Sequence, residues 1–214
     1  MPYPERLAFC SNLNKVGTGT YFGTKTGWES EGLYFVYDES QKTFKWVEYS
    51  SGFDKGIDPR YKYEAYSNYM CVNEEKQIVA IALRYFNKVL FFDFDGNLIK
   101  EVQCGKTERA PEWNKANNML TDESYGLAAI CFIDVQMTDR FIYCLCLEPG
   151  KEHETLDPSR IYVFDYEQNL AAAFQFDRTV SRIAVNNNDK FLLGVSDDGT
   201  GLTDVIKYGL PEMK

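Results

Sequence analysis

The sequence has a single histidine, His153, and no excess of basic residues. Among its 214 residues, 32 acidic side chains outnumber 23 basic ones, so the formal net charge is −9 and the pI is near 4.8. Nucleic acids and anionic membranes attract basic surfaces. The charge balance therefore argues against both as partners, and the single histidine argues against a metal site that needs several histidines.

Long hydrophobic runs are also absent, and none reaches the length that spans a bilayer. The first residues, MPYPERLAFC, lack the basic flank and apolar core of a signal peptide. This second absence is informative only if Met1 is the natural start of the protein.

The six cysteines lack the paired spacing of a zinc site, because none of them forms a CxxC motif. Cys144 and Cys146 lie two residues apart in the strand-like run FIYCLCL, which places both on one face. Cysteines in such runs are typical small core residues. We expect no disulfide framework, no structural metal and no cofactor.

Aromatic residues are abundant, at 15% of the chain, and they favour strands. One aromatic stretch is repeated: VLFFDFDGNLIKEV (Val89 to Val102) aligns without a gap with IYVFDYEQNLAAAF (Ile161 to Phe174), 72 residues later. YFVYDESQKTFKWV (Tyr34 to Val47) is a weaker third copy. Each copy is an apolar run that ends in Asp, a short polar group and a second apolar run, which predicts a β-hairpin.

The group Asp93-Phe94-Asp95-Gly96-Asn97 has two interpretations, a calcium loop or the turn of this hairpin. A calcium loop needs further oxygen ligands and a glutamate at its twelfth position, which here is Cys104. In the other two copies, Asp95-Gly96 is replaced by Glu167-Gln168 and Ser40-Gln41, so only the polar turn is kept. The hairpin turn is therefore the favoured interpretation.

A second kind of hairpin precedes the first. It is visible in CVNEEKQIVAIAL (Cys71 to Leu83), IDVQMTDRFIYCLCL (Ile133 to Leu147) and IAVNNNDKFLLGVS (Ile183 to Ser196), and LAFCSNLNKVGTGTYFG (Leu7 to Gly23) is a plausible fourth example. The two hairpins together make a four-stranded antiparallel unit, with strands a to d. Repetition of such a unit is typical of a β-propeller.

The sequence thus predicts an all-β fold, a single β-propeller domain over residues 1–214. Its blades are expected near 1–50, 51–104, 105–177 and 178–214, the last without its outer strand. Strands are predicted at 7–12, 18–23, 32–38 and 43–49; 66–72, 77–84, 88–94 and 98–103; 126–135, 141–147, 160–166 and 170–176; 180–185, 191–196 and 204–210. A short helical turn is expected between Lys106 and Glu123.

The stretch from Ile161 to Leu210 resembles the last blades of the TolB-like six-bladed propeller proteins of Bacteroides and relatives. The residues that match their pattern are Phe164-Asp165, Asn169-Leu170, Phe176-Asp177, Ile183-Ala184-Val185, Tyr208 and Leu210. Ser67 to Val102 is similar to an inner blade. Two residues depart from the family's pattern: Gln168 replaces a turn glycine, and Asn186 replaces an aspartate. The resemblance implies a six-bladed ring, a longer parent of which this chain is a fragment without two upstream blades, and export to the cell envelope. The alternative is a complete small protein that closes its ring by pairing with another copy.

The strand order places the b–c and d–a connections on one face of the propeller, and this face carries all the long loops: 24–31, 50–65, 104–125, 148–159 and 197–203. Long loops on a rigid scaffold commonly bind ligands. The candidate binding residues in these loops are Trp113, Arg60, Arg109, Trp28, Tyr61 and His153.

Two functions are compatible with these observations. The first is a non-enzymatic binding propeller that takes a protein, small-molecule or glycan ligand on the long-loop face and can self-associate through open blade edges. The second is a calcium-dependent hydrolase or lactonase, for which the inner strands offer Asn68, Asp134 and Asn186. No nucleophile elbow, histidine-rich metal set or phosphate loop marks a catalytic site, so binding is favoured.

Overall fold

The computed structural model describes residues 10–25, 32–52, 62–114, 119–121, 129–149, 156–197 and 203–213. These residues form antiparallel sheets and almost no helix, as the sequence predicts. Three sheets have four strands each, one has three strands, and a small two-stranded sheet lies between the second and third blades.

The first blade contains β1 (Cys10–Gly17), β2 (Thr20–Lys25), β3 (Tyr34–Asp38) and β4 (Thr43–Val47). A four-residue helix, α1 (Lys62–Ala65), leads to the second blade, which contains β5 (Asn68–Asn73), β6 (Ile78–Leu83), β7 (Lys88–Asp93) and β8 (Leu98–Gln103). In both blades each strand pairs only with its neighbours in the chain, so the sheets are meanders.

A two-residue pair, β9 (Trp113–Asn114) and β10 (Met119–Leu120), follows. The third blade contains β11 (Phe132–Met137), β12 (Ile142–Pro149), β13 (Leu156–Phe164) and β14 (Leu170–Gln175). The fourth contains β15 (Arg182–Val185), β16 (Phe191–Asp197) and β17 (Thr203–Gly209).

The blades follow one another as in a propeller, with the first strands innermost. Asn12 of β1 donates to Asn68 of β5, and the Ile183 amide of β15 donates to Asp134 of β11. Apolar clusters fill the spaces between sheets; Ala80 and Phe91 pack with Cys144 and Phe164 between the second and third blades. Strands such as β7 are therefore buried on both faces, which explains their continuous apolar sequence.

Some of the predicted positions of elements were wrong. The strand expected at 126–135 is β11, which begins only at Phe132 and ends at Met137. The first hairpin was expected at 7–12 and 18–23, but β1 continues to Gly17 and its turn is residues 18–19, where Gly19 has φ +69°. Backbone pairing with β2 continues to Gly17, which faces Thr20, so the polar residues do not end the strand. The helical turn predicted between Lys106 and Glu123 is also wrong for the described part of that segment, which forms β9 and β10.

Candidate functional site

The two faces of the propeller differ in the length of their connections. The a–b and c–d connections, here called the short-turn face, are all turns of two to five residues: 18–19, 39–42, 74–77, 94–97, 138–141, 165–169 and 186–190. The b–c and d–a connections form the long-loop face. This face includes the short turn 84–87 as well as the longer segment between β8 and β11.

Four of the six predicted binding residues, Trp28, Arg60, Tyr61 and His153, lie outside the described residues. Trp113 begins β9, where its backbone pairs with Leu120. Arg109 is described in full and is half-buried on the long-loop face. The assignment of these six residues to a binding surface stays a prediction.

Asn87 anchors the start of the segment that carries Arg109. Its side chain is 2% exposed, and its Nδ2 donates to the carbonyl oxygens of Cys104 at 2.5 Å and Thr107 at 2.9 Å. Its Oδ1 accepts the Arg109 amide at 2.7 Å. One buried asparagine side chain thus hydrogen-bonds to three backbone groups.

The Arg109 guanidinium connects this segment to the third blade. Nη1 donates to the carbonyl oxygen of Leu147 and Nη2 to that of Ile130, both at 3.2 Å. These two carbonyls lie near the end of β12 and just before β11. Arg109 therefore stabilises the long-loop face between the second and third blades, a role that its sequence context did not reveal.

Lys88 lies on the same side of the second blade and is almost fully buried. Its Nζ is 2.8 Å from carboxylate oxygens of both Glu101 and Glu108, and Glu101 also accepts from the Tyr49 hydroxyl at 2.8 Å. Burial lowers the pKa of Lys88, but the two carboxylates outweigh it, so the net pKa is raised. This network joins the first blade to the second and leaves no free ammonium for a ligand.

Arg84 is the residue of this face that sequence reasoning missed. It begins the b–c turn of the second blade, where its amide donates to the Ser67 carbonyl and its carbonyl accepts the Cys131 amide. These contacts place it beside the beginnings of the inner strands β5 and β11. The Arg84 side chain is half-buried, and its guanidinium lies 5.5 Å from the Tyr85 ring centroid.

The Arg84 guanidinium makes neither a hydrogen bond nor an ion pair with the part of the chain that the structure describes, and its Nε is buried. Arg109, in contrast, uses its guanidinium to hold backbone carbonyls. In the sequence Arg84 follows an apolar strand and resembles an ordinary turn residue. No local signal separates the two arginines.

Two of the three residues considered for a calcium-dependent hydrolase, Asn68 and Asp134, make contacts between blades. The Asn68 Oδ1 accepts from Asn12 and Thr24, and its Nδ2 donates to the Tyr66 carbonyl. Asp134 accepts the backbone amides of Ile183 and Val135, each at 2.9 Å. Within the described residues, no group of three or more His, Cys, Asp or Glu side chains is arranged to hold a metal ion.

The Asp93 group is a hairpin turn, as the sequence analysis favours. The Asp93 carboxylate accepts both the amide and the side-chain Nδ2 of Asn97, each at 2.8 Å. Asp165 accepts the same two groups of Asn169, at 2.7 and 3.3 Å. The two copies of the motif therefore form the same turn.

An open cleft of about 440 Å³ lies on the short-turn face of the second blade. It is bordered by Lys76, Asp93, Asp95 and Ile99. Its size falls within the range of small-molecule sites. It provides a comparison surface on the face opposite to the predicted site.

The fold has structural relatives of low sequence identity, whereas no protein-family model and no curated protein matches the sequence. A member of the DUF4221 family from Bacteroides vulgatus is 8% identical over 91% of this chain and 62% of its own, with a TM-score of 0.54. Hydrazine synthase from Kuenenia stuttgartiensis is 12% identical over 89% of this chain and 43% of its own, with a TM-score of 0.53. The WD40 domain of Toxoplasma gondii coronin is 9% identical over 86% and 39%, with a TM-score of 0.47.

The likeness to these structures concerns the fold alone. The chain spans less than two thirds of the length of each of these matched structures. None of the helices in the described ranges is long and apolar enough to cross a membrane.

Proposed function

We propose that the chain forms part of a non-enzymatic binding propeller whose ligand lies on the long-loop face. The observation that carries this proposal is the unpaired guanidinium of Arg84 beside the inner strands. A buried donor without an acceptor costs about 1–3 kcal/mol, and more when it is charged. A bound ligand that supplies the acceptor would offset this cost.

The chemistry of Arg84 defines one part of the ligand. A guanidinium presents planar, permanently charged donors that match a carboxylate, sulfate or phosphate group. The ligand of this proposal is therefore a protein, small molecule or glycan with an anionic group that faces Arg84. The proposal also assigns the loops 50–65, 104–125 and 148–159, with Trp113, Arg60 and Arg109, to the ligand surface.

The proposal is tested by capture of partners from the native cell envelope, because the TolB-like proteins that the sequence resembles are exported. Arg84→Gln removes the charge and keeps a side chain of similar length. A triple alanine variant at Arg60, Arg109 and Trp113 tests the loops, with circular dichroism to check folding, because Arg109 also supports the third blade. Both variants are expected to lose the captured partner.

The comparison variant changes the opposite face. Lys76→Ala combined with Asp95→Ala alters the cleft on the short-turn face and is expected to retain the partner. Capture that survives Arg84→Gln and the triple substitution, but is lost in this comparison variant, would place the ligand on the short-turn face. Loss in the triple variant alone would support the long-loop face without Arg84.

The proposal also includes six blades and self-association, which follow from the resemblance and from the open edge of the fourth blade. Val205 in β17 is 66% exposed, an unusual position for a valine in a sheet. Self-association through this edge predicts a mass above that of one chain in analytical ultracentrifugation. A monodisperse monomer with a cooperative thermal transition would contradict it.

A further inference from the structure

A buried carboxylate joins the third and fourth blades on the short-turn face. Asp189 lies in the a–b turn of the fourth blade and is only 6% exposed. Its Oδ1 accepts the hydroxyl groups of Tyr143 and Thr138, both 2.8 Å away and both in the third blade. One oxygen of this carboxylate is therefore fully occupied by hydrogen bonds that connect the third and fourth blades.

The other carboxylate oxygen, Asp189 Oδ2, is buried and has no hydrogen-bond partner in the described chain. A second unpaired buried oxygen, Oδ1 of Asn186, belongs to the same turn. The turn is closed by the Asp189 amide, which donates to the Asn186 carbonyl at 2.8 Å. One four-residue turn thus contributes two buried acceptors that no protein donor satisfies.

In the corresponding turn of the second blade, the asparagine has hydrogen-bond partners. Asn73, at the position of Asn186, accepts the Lys76 amide at 2.9 Å and donates to the Tyr166 hydroxyl at 2.6 Å. An unpaired asparagine oxygen is therefore not a general property of these turns. It is particular to the turn that also contains Asp189.

Asp189 also lacks a directly bonded countercharge in the described chain. Its carboxylate makes no ion pair with the described residues. The nearby Arg140 donates to the Met213 carbonyl at 3.1 Å and lies over the Phe141 ring. Two acceptor oxygens cannot bond to each other, and a buried carboxylate without a countercharge is costly. A cation held between these two side chains would satisfy both oxygens and the charge at once.

We propose that Asp189 Oδ2 and Asn186 Oδ1 are ligands of a hard metal cation, bound in the a–b turn of the fourth blade. Carboxylate and amide oxygens are ligands that calcium accepts, and water completes its coordination. With one acidic ligand the affinity is expected in the range of weak extracellular calcium sites, with Kd of about 10⁻⁴–10⁻³ M. The cation would stabilise the joint between the third and fourth blades.

The test uses the whole chain and calcium chloride as the probe, with sodium chloride of equal ionic strength and magnesium chloride as comparisons. Calcium at about ten times its Kd should raise the Tm by about 4 °C. Isothermal titration calorimetry measures the affinity directly. Asp189→Asn should abolish the response, whereas Asp165→Asn, in an exposed turn, should leave it unchanged.

A second variant keeps the proposal testable if Asp189→Asn fails to fold. Asn186→Asp adds a second carboxylate to the same turn, so it should lower the Tm without calcium and tighten calcium binding by about tenfold or more. No heat of binding and no Tm shift in either the natural chain or Asn186→Asp would overturn the proposal and leave water as the occupant. Binding that is unchanged by Asp189→Asn would also overturn it, because the ion would then lie elsewhere.

Discussion

Lys45 and Lys100 occupy equivalent positions in the fourth strands of two successive blades, and each donates to the c–d turn of the blade that follows. The Lys45 Nζ lies 2.6 Å from the carbonyl oxygen of Asp95, and the Lys100 Nζ lies 2.8 Å from that of Gln168. The repeat therefore reproduces a contact between blades as well as the hairpins within them.

The third blade has no lysine at this position. Ala172 pairs with Val163 in the register in which Lys100 pairs with Phe91. The fourth blade, within the described residues, has no c–d turn that a lysine at 172 could reach. The lysine occurs where a turn accepts it.

Replacement of Lys100 by methionine keeps the apolar stem and removes the donor. The free energy of unfolding should fall by about 1 kcal/mol, because a partly buried charged hydrogen bond between blades is lost. Urea denaturation measures this change. Lys76→Met is the control, because Lys76 makes only an exposed ion pair with Glu75 and should change stability by less than about 0.5 kcal/mol. Equal losses in the two variants would contradict the prediction.

A comparison of alanine substitutions at Gly96 and Gly52 separates the cost of backbone strain from the cost of a clash between blades. Both have positive φ angles, +80° and +81°. A Cβ at Gly96 would lie 2.4 Å from Val47 Cγ2 of the first blade, whereas a Cβ at Gly52 would have nothing within 4 Å. Gly96→Ala should therefore lower the free energy of unfolding by about 1–3 kcal/mol more than Gly52→Ala. Thermal and urea denaturation measure the stability of both variants. Equal losses of stability would contradict the prediction, because they would show that the contact with Val47 relaxes at no free-energy cost.

Asn87→Ala tests the anchor of the long-loop face. It leaves the Cys104 and Thr107 carbonyls and the Arg109 amide without their present partner. The free energy of unfolding should fall by about 3 kcal/mol, and proteolysis between residues 104 and 114 should accelerate. Asn188→Ala, at an exposed position of a turn, should have little effect on either measurement. An Asn87 variant as stable as the natural chain would show that water replaces the side chain.

The hairpin turns could be predicted from the sequence because their chemistry is local. Asp93 binds Asn97, and Asp165 binds Asn169, within five residues, so the repeated motif carries the repeated structure. Propeller topology then followed from the number and order of the hairpins.

The destinations of long side chains could not be predicted in the same way. Arg109 reaches Leu147, 38 residues away, whereas Arg84 finds no acceptor, and nothing in their neighbouring residues distinguishes these outcomes. The paired acceptors of Asp189 and Asn186 also depend on how two blades meet. Tertiary packing decides all three cases.

The cysteines should react as core residues. Cys104, Cys131, Cys144 and Cys146 are buried and form no disulfide bond, and burial raises the pKa of the Cys144 thiol. The thiolate is the reactive form, so these four should be alkylated by iodoacetamide only after unfolding. Mass spectrometry of peptides labelled before and after urea treatment measures this. Labelling of Cys144 in the native protein at the rate seen in urea would contradict its burial between the second and third blades.

Stability should decline at alkaline pH because buried groups keep their protons. Burial, and then the hydrogen bond to Asp189, raises the pKa of Tyr143; the carboxylates around Lys88 raise its pKa against the opposing effect of burial. Both groups hold a proton more tightly in the folded protein than in the unfolded chain. Their contribution is therefore complete below the unfolded pKa values, about 10, and is lost as pH rises through the higher folded values.

Urea denaturation should give a nearly constant contribution from these groups between about pH 7 and pH 9, and a falling free energy of unfolding above about pH 10. Tyr143→Phe should be less stable than the natural chain at neutral pH, because Asp189 loses one of its two donors. The same variant should show a shallower alkaline decline, because one raised pKa has been removed. An equally steep decline in both proteins would show that Tyr143 ionises in the folded state as it does in the unfolded chain.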